Sequence, residues 1–288
     1  MSSDSVAGRP QQRTWLITGA STGLGRALAE VVLEQTDDNV VATARDEADV
    51  RELERRHGRR VLVQRLDVTD TDTIRAAVKT ATSRFGSIDV LVNNAGYGHR
   101  GALEEFSEAE LRAQFDVNVF GVVAVTRETL PVMRRQRSGL IIQISSVGGV
   151  TTTLSGTVYG ATKFTLEGLS EGLAAEVEHL GIQVMILQPG PFRTDFAGRS
   201  SRWVDDPISD YEPVMASARR NFADMDGTQP GDPRRAAVAV VQASQGRTPP
   251  LRLPLGPESF ARIRSRLEER LAELDELEAL GRDTSFVT

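Results

Sequence analysis

Short apolar runs alternate with longer segments of mixed polarity along most of the chain. Six runs rich in β-branched residues have the length and composition of buried strands. They fall at Thr14–Thr18, Asn39–Ala44, Val61–Asp67, Ile88–Asn93, Leu140–Ser145 and Ile182–Gln188. A shorter run at Leu251–Leu253 is a candidate seventh strand.

The segments between these runs repeat apolar residues every three or four positions, as amphipathic helices do. Helices are predicted at Leu24–Gln35, Glu47–His57, Thr71–Phe85, Ser107–Met133 and Tyr159–Leu180. Asp46 is the expected N-cap of the second helix. Strands that alternate with helices in this way predict an α/β fold. We expect a doubly wound (Rossmann) sheet of about seven parallel strands with helices on both faces, in a single domain.

The pattern changes after the sixth run. Residues 191–235 are rich in proline and poor in apolar runs, which predicts an irregular substrate loop. Residues 257–288 predict a charged amphipathic helix, with apolar side chains at helical spacing as far as Leu280, and a short tail. This helix either lies on the protein's own body or binds a partner. The polar residues 1–12 predict a disordered tail, which leaves 13–256 as the folded domain.

The composition is that of an ordinary globular protein. The chain is 40% hydrophobic and 26% charged, which excludes a largely disordered protein. A formal net charge of −6 argues against nucleic acid or a membrane surface as a partner. Without cysteine, and with three histidines far apart in sequence, no metal site is predicted. The sequence shows no membrane-spanning stretch and no signal peptide, so a cytoplasmic location is expected.

A glycine-rich turn follows the first predicted strand and precedes the first helix. Glycine permits a turn with positive φ, a close approach of backbone N–H groups to a pyrophosphate, and tight packing of helix on sheet. The helix N-terminus adds unpaired N–H groups and a positive dipole. The candidate cofactor contacts in this turn are Gly19, Ser21, Thr22, Gly23, Leu24 and Gly25. For the motif alone, a purely structural turn is the alternative.

The end of the second strand indicates which dinucleotide binds. In a dinucleotide fold this position faces the adenosine ribose, where an acid suits a 2′-hydroxyl and a basic residue suits a 2′-phosphate. Here Ala44 stands at the end of the strand and Arg45 follows it. We therefore predict NADP(H), with NAD(H) as the alternative. Thr22 is not basic, so the sequence shows no second cation, and a solvated Arg45 or one stacked on adenine is the other interpretation.

Tyr159 and Lys163 stand four residues apart at the start of the helix after the fifth strand, so they share a helical face. A free phenol has a pKa of about 10. A nearby ammonium is expected to lower this pKa, which would let Tyr159 act as an acid or a base. Ser146 follows the fifth strand, at the edge where open α/β sheets place ligands, and its hydroxyl can hold a substrate oxygen. Taken alone, the Tyr–Lys pair also arises by chance on helix surfaces.

Together these motifs resemble the short-chain dehydrogenases/reductases. The shared segments lie in family order over residues 14–195: TGASTGLG, Asp67-Val68, NNAG, Asn118 in DVNVFG, ISS, YGATK and PGPFRT. The ATARD and LRLPLG stretches are also similar to the steroid- and retinol-dehydrogenase-like branch. The resemblance implies one domain with seven parallel strands.

The resemblance also implies a role for each matched residue. Tyr159 is implied to be the catalytic acid or base, Lys163 the residue that lowers its pKa and binds the nicotinamide ribose, and Ser146 the group that orients the carbonyl. Asn118 is implied to hold a water in a proton relay, or it kinks the helix by bonding its own backbone. The other implied cofactor contacts are Asp67 and Val68 at adenine, Asn94, Ala95 and Gly96 in the cleft, and Pro189, Gly190 and Thr194 beside the nicotinamide.

These residues predict an NADP(H)-dependent oxidoreductase that transfers hydride between nicotinamide and a carbonyl or alcohol substrate. The alternatives are an epimerase or dehydratase on the same scaffold, a cofactor-binding sensor without turnover, and an interaction protein that acts through its C-terminal helix. The resemblance further implies a homodimer or homotetramer joined through the helices at 107–133 and 159–180.

The substrate is the part that the sequence does not define. Tyr97 and His99 follow the NNAG motif and are expected to border the site. The apolar side chains of the substrate loop either line a pocket or form the loop's own small core: Phe192, Phe196, Trp203, Tyr211, Met215 and Phe222.

Overall fold

The computed structural model of the chain describes residues 12–246, 248–282, 284 and 286. Its strands are β1 (Thr14–Ile17), β2 (Asn39–Ala44), β3 (Val61–Arg65), β4 (Val90–Asn93), β5 (Gly98–Arg100), β6 (Gly139–Ile144), β7 (Ile182–Pro189), β8 (Ser201–Trp203) and β9 (Arg252–Leu255). Seven of them form a parallel sheet in the order β3-β2-β1-β4-β6-β7-β9. The predicted doubly wound sheet is confirmed, and its strand order reverses between β1 and β4.

Helices cover both faces of this sheet. They are α1 (Gly23–Gln35), α2 (Arg51–His57), α3 (Thr71–Phe85), α4 (Glu108–Phe115), α5 (Val122–Gln136), α6 (Thr157–Val177), α7 (Glu212–Met225), α8 (Pro233–Ser244) and α9 (Pro257–Gly281). Side chains alternate between the faces of each strand. Thus Trp15 and Ile17 pack with α1 and α8 on one face, whereas Leu16 packs with α3 and α5 on the other.

Two predicted helices are interrupted. The second begins as a 3₁₀ turn at Glu47–Asp49, where Asp46 accepts the N–H of Ala48 at 2.9 Å as the expected cap. The long helix predicted at Ser107–Met133 contains a π-helical turn, Asp116–Gly121, between α4 and α5. Such turns break the 3.6-residue period only locally, so the apolar pattern still resembles one helix.

The prediction that residues 191–235 are irregular is wrong. This segment contains β8, which pairs with β5 in a small second sheet, and the whole of α7. Pro213 and Pro233 do not break α7 and α8. Each lies in the first turn of its helix, where the backbone N–H that proline lacks would have no partner within the helix. We call residues 191–232 the lid segment.

The two ends of the chain differ from the body. Residues 1–11 of the predicted tail lie outside the described residues, and the Gln12 amide hydrogen-bonds the Asn39 side chain at 3.2 Å. Helix α9 starts on the body, where Ser259 is buried and donates to the Gln188 carbonyl at 2.6 Å. Its later leucines, from Leu267 to Leu280, are 49–79% exposed, although Arg270 still contacts the body at the Val150 carbonyl, at 3.4 Å, and at the Phe164 ring. No helix in the described part of the chain has the length and apolar character needed to cross a bilayer.

Candidate functional site

The turn between β1 and α1 requires glycine at three positions. Gly19 and Gly23 have φ values of +65° and +59°, a region that disfavours side chains. A Cβ on Gly25 would overlap the Asn94 amide and lie 2.7 Å from the Gly19 carbonyl oxygen. Thr22 makes no side-chain cap, so no side chain at the N-cap competes for the first N–H groups of α1. This arrangement fits a pyrophosphate.

Asn94 ties the ends of β1 and β4 together. Its Nδ2 donates to the carbonyl oxygens of Thr18 and Gly19, each at 2.9 Å. The Thr18 hydroxyl in turn accepts the backbone N–H groups of Asn94 and Ala95 at 2.9 and 3.0 Å. These hydrogen bonds therefore fix the ends of β1 and β4 relative to each other where the strand order reverses. Ser21 and Thr22 lie on the turn itself, whereas Leu24 packs partly against the core below it.

A cationic cavity lies beyond the end of β2. It has a volume of about 580 Å³ and is lined by Arg45, Asp46, Glu47, Ala48, Arg51 and Arg65. The parallel register pairs Ala44 with Arg65 and so brings Arg65 beside Arg45. Arg51 pairs with Glu47 at 3.3 Å, whereas Arg45 and Arg65 have no ion-pair partner among the described residues. The expectation that Arg45 has no second cationic partner is thus wrong.

Asp67 and Val68 follow β3 beside this cavity. Burial favours the neutral form of Asp67, but hydrogen bonds from Thr69 and the charges of Arg45 and Arg65 outweigh it and hold the pKa of this carboxyl below its usual value. The carboxylate accepts the Thr69 N–H at 2.9 Å and its hydroxyl at 2.7 Å. Val68 packs against the π-helical turn, since a Cβ on Gly121 would lie 2.7 Å from its Cγ2.

Ser146 and Tyr159 meet beside Gly148. The Ser146 hydroxyl accepts the Gly148 N–H at 3.0 Å. A Cβ on Gly148 would lie 3.3 Å from Ser146 Oγ and 3.4 Å from Tyr159 Cε1. The serine that ends β6 and the tyrosine in the first turn of α6 therefore face the same small space at the carboxyl edge of the sheet.

The electrostatics of Tyr159 differ from the sequence prediction. Burial raises the pKa of this phenol above its usual value, and the neighbouring Ser146 hydroxyl and the charge of Arg100 offset this only in part. Lys163 was expected to lower the pKa of Tyr159, but its ammonium points to the backbone, donating to the Ile144 carbonyl at 2.7 Å. Its Nζ lies 5.6 Å from the centre of the phenol ring. Tyr159 is therefore protonated at neutral pH.

Lys163 is itself perturbed. Burial lowers the pKa of its ammonium to about 8, and the carboxylate of Glu167, one turn further along α6, opposes this change. Glu167 accepts hydrogen bonds from Gln188 of β7 and from Arg252 of β9, both at 3.1 Å. Lys163 and Glu167 are both buried, and Glu167 connects helix α6 to the last two strands of the sheet.

Asn118 lies in the π-helical turn and is buried. Its Nδ2 donates to the Tyr97 carbonyl at 2.9 Å and to the Thr162 hydroxyl at 3.2 Å, and its Oδ1 accepts the Tyr97 N–H at 3.1 Å. The interpretation that it bonds its own helix backbone is wrong. Asn118 instead joins the segment after β4 to helix α6, and Gly96 leaves the space that its Oδ1 requires.

The segment after β7 crosses the glycine turn. Pro189 ends the strand, and the Gly190 N–H donates to the Leu255 carbonyl at 3.0 Å. A Cβ on Gly23 would lie 3.5 Å from the Cβ of Thr194, so Thr194 sits directly over the turn. These three residues therefore close one side of the predicted cofactor cleft.

The apolar side chains of the lid segment divide between the two expected roles. Phe196 faces the site, with its ring 5.4 Å from that of Tyr159. Trp203 and Phe222 pack edge to face at 6.3 Å and Met215 is buried, which resembles a small core within the lid segment. The predicted site neighbour His99 is buried and pairs with Glu110 at 3.4 Å.

Arg100 is a site residue that the sequence patterns did not indicate. Its guanidinium stacks on Phe222, with Cζ 3.8 Å from the ring centre, and its charge reaches Tyr159. Its Nε is buried without a hydrogen-bond partner among the described residues. The three-residue strand β5 that carries it has no apolar pattern, so no signal in the sequence marked it.

The described residues contain no group of three or more histidine, aspartate or glutamate side chains arranged to hold a metal ion. The site has a glycine turn that fits a pyrophosphate, a cationic cavity, and a serine hydroxyl, a phenol and a buried ammonium close together.

Known proteins are similar to this chain over most of its length. The profile of the short chain dehydrogenase family matches residues 13–205. Oxidoreductase BOA17 of Botryotinia fuckeliana is 37% identical over 269 residues, covering 91% of this chain and 97% of the relative. The 3-ketodihydrosphingosine reductase of Bacteroides thetaiotaomicron is 36% identical over 268 residues, covering 91% and 96%. Retinol dehydrogenase 8 of Bos taurus is 34% identical over 255 residues, covering 83% and 80%.

Solved structures agree with these relatives. A short-chain dehydrogenase from Streptomyces avermitilis superposes with a TM-score of 0.87 at 40% identity, covering 96% of this chain and 100% of the other. A short-chain dehydrogenase/reductase from Burkholderia phymatum in complex with NAD gives 0.78 at 25% identity, covering 91% and 95%. A serine dehydrogenase complexed with NADP+ gives 0.73 at 26% identity, covering 85% and 95%. The sheet, the site and these matches show that the chain belongs to the short-chain dehydrogenase/reductase family of oxidoreductases.

Proposed function

We propose that this protein is an NADP(H)-dependent reductase of ketones or aldehydes, or a dehydrogenase of the corresponding alcohols. The observation that carries this proposal is the convergence of Ser146, Tyr159 and the buried Lys163 at the carboxyl edge of the sheet. A nicotinamide bound in the cleft supplies or accepts the hydride. The chain's own residues then have to bind, orient and move a proton.

Tyr159 supplies the proton in this proposal. Its raised pKa keeps the phenol protonated, which suits a general acid acting on a carbonyl oxygen. The Ser146 hydroxyl holds the same oxygen without adding charge. Arg100 and Ser146 both favour the phenolate, so they stabilise Tyr159 after it has given up its proton. The protonated phenol is the form of Tyr159 that reduction of a carbonyl requires.

Lys163 and Asn118 support these groups. The ammonium of Lys163 is fixed by the Ile144 carbonyl, and Glu167 favours its charged form. Lys163 would bind the nicotinamide ribose, as the family resemblance implies. Asn118 fixes the backbone of Tyr97 and the first turns of α6 relative to each other. We propose that this frame holds the proton relay that the family resemblance implies.

The cofactor preference is proposed from the cationic cavity. Arg45 and Arg65 each lack an ion-pair partner within the described residues, and a guanidinium binds phosphate through two parallel hydrogen bonds. A 2′-phosphate would neutralise both, whereas a ribose hydroxyl would leave two like charges facing each other. Solved relatives bind either NAD or NADP, so the arginines have to supply the distinction.

We expect Arg45→Ala and Arg65→Ala each to lower the ratio of kcat/KM for NADPH over NADH by about 10- to 100-fold, the range for a lost hydrogen bond to a charged group. The kcat/KM value for NADH should change little. Arg75→Ala removes the same charge from the exposed face of α3 and serves as the control. Steady-state kinetics with both cofactors measure this ratio. If kcat/KM for NADPH over NADH is unchanged in both cavity variants, Arg45 and Arg65 do not bind a 2′-phosphate.

A panel of ketones, aldehydes and alcohols, run with NADPH and NADH, tests the activity itself. Absorbance change at the nicotinamide band supports an oxidoreductase. Cofactor binding without turnover of any compound would favour the sensor alternative, which the intact Ser–Tyr–Lys set argues against.

We further propose a homodimer or homotetramer in the cytoplasm. The helices that the resemblance assigns to the interface carry exposed apolar side chains, with Phe120 61%, Phe164 37% and Leu169 45% exposed. Large apolar side chains that are exposed on these helices would be covered by association. Light scattering of the purified protein and fractionation of expressing cells test the two statements.

A further inference from the structure

Arg100 points toward the reacting groups because of its place on β5. Side chains alternate along a strand, so Gly98 and Arg100 share one face of β5 while His99 faces Glu110 on the other. A Cβ on Gly98 would lie 3.2 Å from Phe196, the ring that packs on Tyr159. The Arg100 side chain therefore extends over the same space as Phe196 and Tyr159.

The position of Arg100 is fixed from several sides. Its carbonyl accepts the Val204 N–H at 2.9 Å, and the N–H of the next residue, Gly101, donates to the Ser155 carbonyl at 3.3 Å. The guanidinium lies on Phe222 of helix α7, at 3.8 Å from Cζ to the ring centre. The lid segment thus holds the charged group flat while leaving its edge free.

Among the described residues, no acid forms an ion pair with this charge. The buried Nε of Arg100 also has no hydrogen-bond acceptor among them. The nearby buried Glu105 is engaged elsewhere, since its carboxylate accepts the N–H groups of Ala102 at 2.7 Å and Ile208 at 3.0 Å. An unpaired buried cation is costly, and a planar guanidinium with a free edge fits a carboxylate.

We propose that Arg100 binds the substrate and that the substrate carries a carboxylate within reach of the carbonyl or hydroxyl group on which Tyr159 acts. This inference rests on the proposed oxidoreductase function. It makes an oxo acid, or the matching hydroxy acid, the preferred substrate class. Arg100 is then a specificity residue, because its hydrogen bonds go to a part of the substrate that does not react.

The test compares each acid with its neutral ester. The probes are meta- and para-carboxybenzaldehyde and levulinate, each paired with its methyl ester, and the readout is kcat/KM for each compound with NADPH. Wild type should prefer the acids. Arg100→Met should lower the acid-to-ester ratio by about 10- to 100-fold, the range for losing hydrogen bonds to a charged group. Any effect of the lost charge on Tyr159 falls on acids and esters alike and cancels in this ratio. Arg100→Lys keeps the positive charge but lacks the planar pair of N–H donors. Its acid-to-ester ratio should therefore lie between those of wild type and Arg100→Met.

The controls separate this inference from the others. Arg112→Met removes a charge from the exposed face of α4 and should leave the ratio unchanged. Unaltered NADPH binding shows that the Arg100 variants are folded. Turnover of the esters by wild type supports the oxidoreductase function whether or not the acids are preferred.

Two results would overturn the inference. One is a wild-type enzyme that prefers the esters. The other is an Arg100→Met variant in which kcat/KM falls equally for acids and esters and the pH profile shifts. That result would mean that Arg100 acts only on Tyr159. If wild type turns over none of the probes, thermal stabilisation by the carboxylates in the presence of NADP+ is measured instead. Stabilisation that depends on Arg100 supports the inference, and its absence contradicts it.

Discussion

At the scale of single residues, the charge of Lys163 depends on Glu167, which lies one turn further along α6 than the proposed site residues. Burial alone favours the neutral amine, and Glu167 works against it through one turn of helix α6. Glu167 is in turn held by Gln188 and Arg252, so the last strand of the sheet helps to set the protonation of a site residue. This makes Glu167 a positioning residue with an electrostatic effect.

Replacing Glu167 by glutamine should shift a pH profile. Because the carboxylate raises the pKa of Lys163, its loss lets that pKa fall below the value of about 8 found in the intact protein. The ammonium then loses its proton at lower pH, so the decline of NADPH affinity on the alkaline side should begin at lower pH in Glu167→Gln. Fluorescence titration of NADPH across pH measures this.

Glu171→Gln is the matched control for this prediction. Glu171 binds the same Arg252, at 2.7 Å, but it is exposed and lies a further turn away from Lys163. Its profile should follow that of wild type. Identical profiles for Glu167→Gln and wild type would show that Glu167 has no influence on the lysine.

At the scale of elements, the turn between β1 and α1 depends on close contact with β4. Gly25→Ala would push a methyl group into Asn94 and the Gly19 carbonyl. Overpacking of this kind costs about 1–3 kcal/mol, so we expect a lower Tm and weaker NADPH binding. Gly246→Ala meets nothing closer than 3.5 Å and should keep both values within error. Thermal melts and NADPH titration of both variants provide the comparison, and a Gly25→Ala protein that binds NADPH like wild type would contradict the tight turn.

The elements that could be predicted are those with a strong local pattern. The strands of the main sheet have buried β-branched runs, and the glycine turn and Asp46 cap are set by neighbouring residues. Strands β5 and β8 were missed because three residues show no period. Helix α7 lies in the segment predicted to be irregular from its prolines and few apolar runs, although proline in the first turn of a helix, as at Pro213, costs little.

At the scale of the whole molecule, strand register and topology bring distant residues together. Arg65 reaches Arg45 only through the pairing of β2 with β3, and Arg100 reaches Tyr159 only because β5 and the lid segment fold over helix α6. Motif spacing placed Ser146, Tyr159 and Lys163 correctly at one edge of the sheet. It could not show that burial raises the pKa of Tyr159, because burial depends on every element that surrounds the phenol.

The most direct measurement is the rate of NADPH oxidation by Tyr159→Phe, set beside NADPH binding in the same samples. Phenylalanine keeps the ring that packs on Phe196 and removes only the transferable proton. We predict that turnover of a carbonyl substrate falls by at least about 10²-fold, the low end for loss of a general acid, while NADPH binds as it does to wild type. Turnover close to that of wild type would show that Tyr159 does not supply the proton, and a wild-type protein that binds neither NADPH nor NADH would contradict the account as a whole.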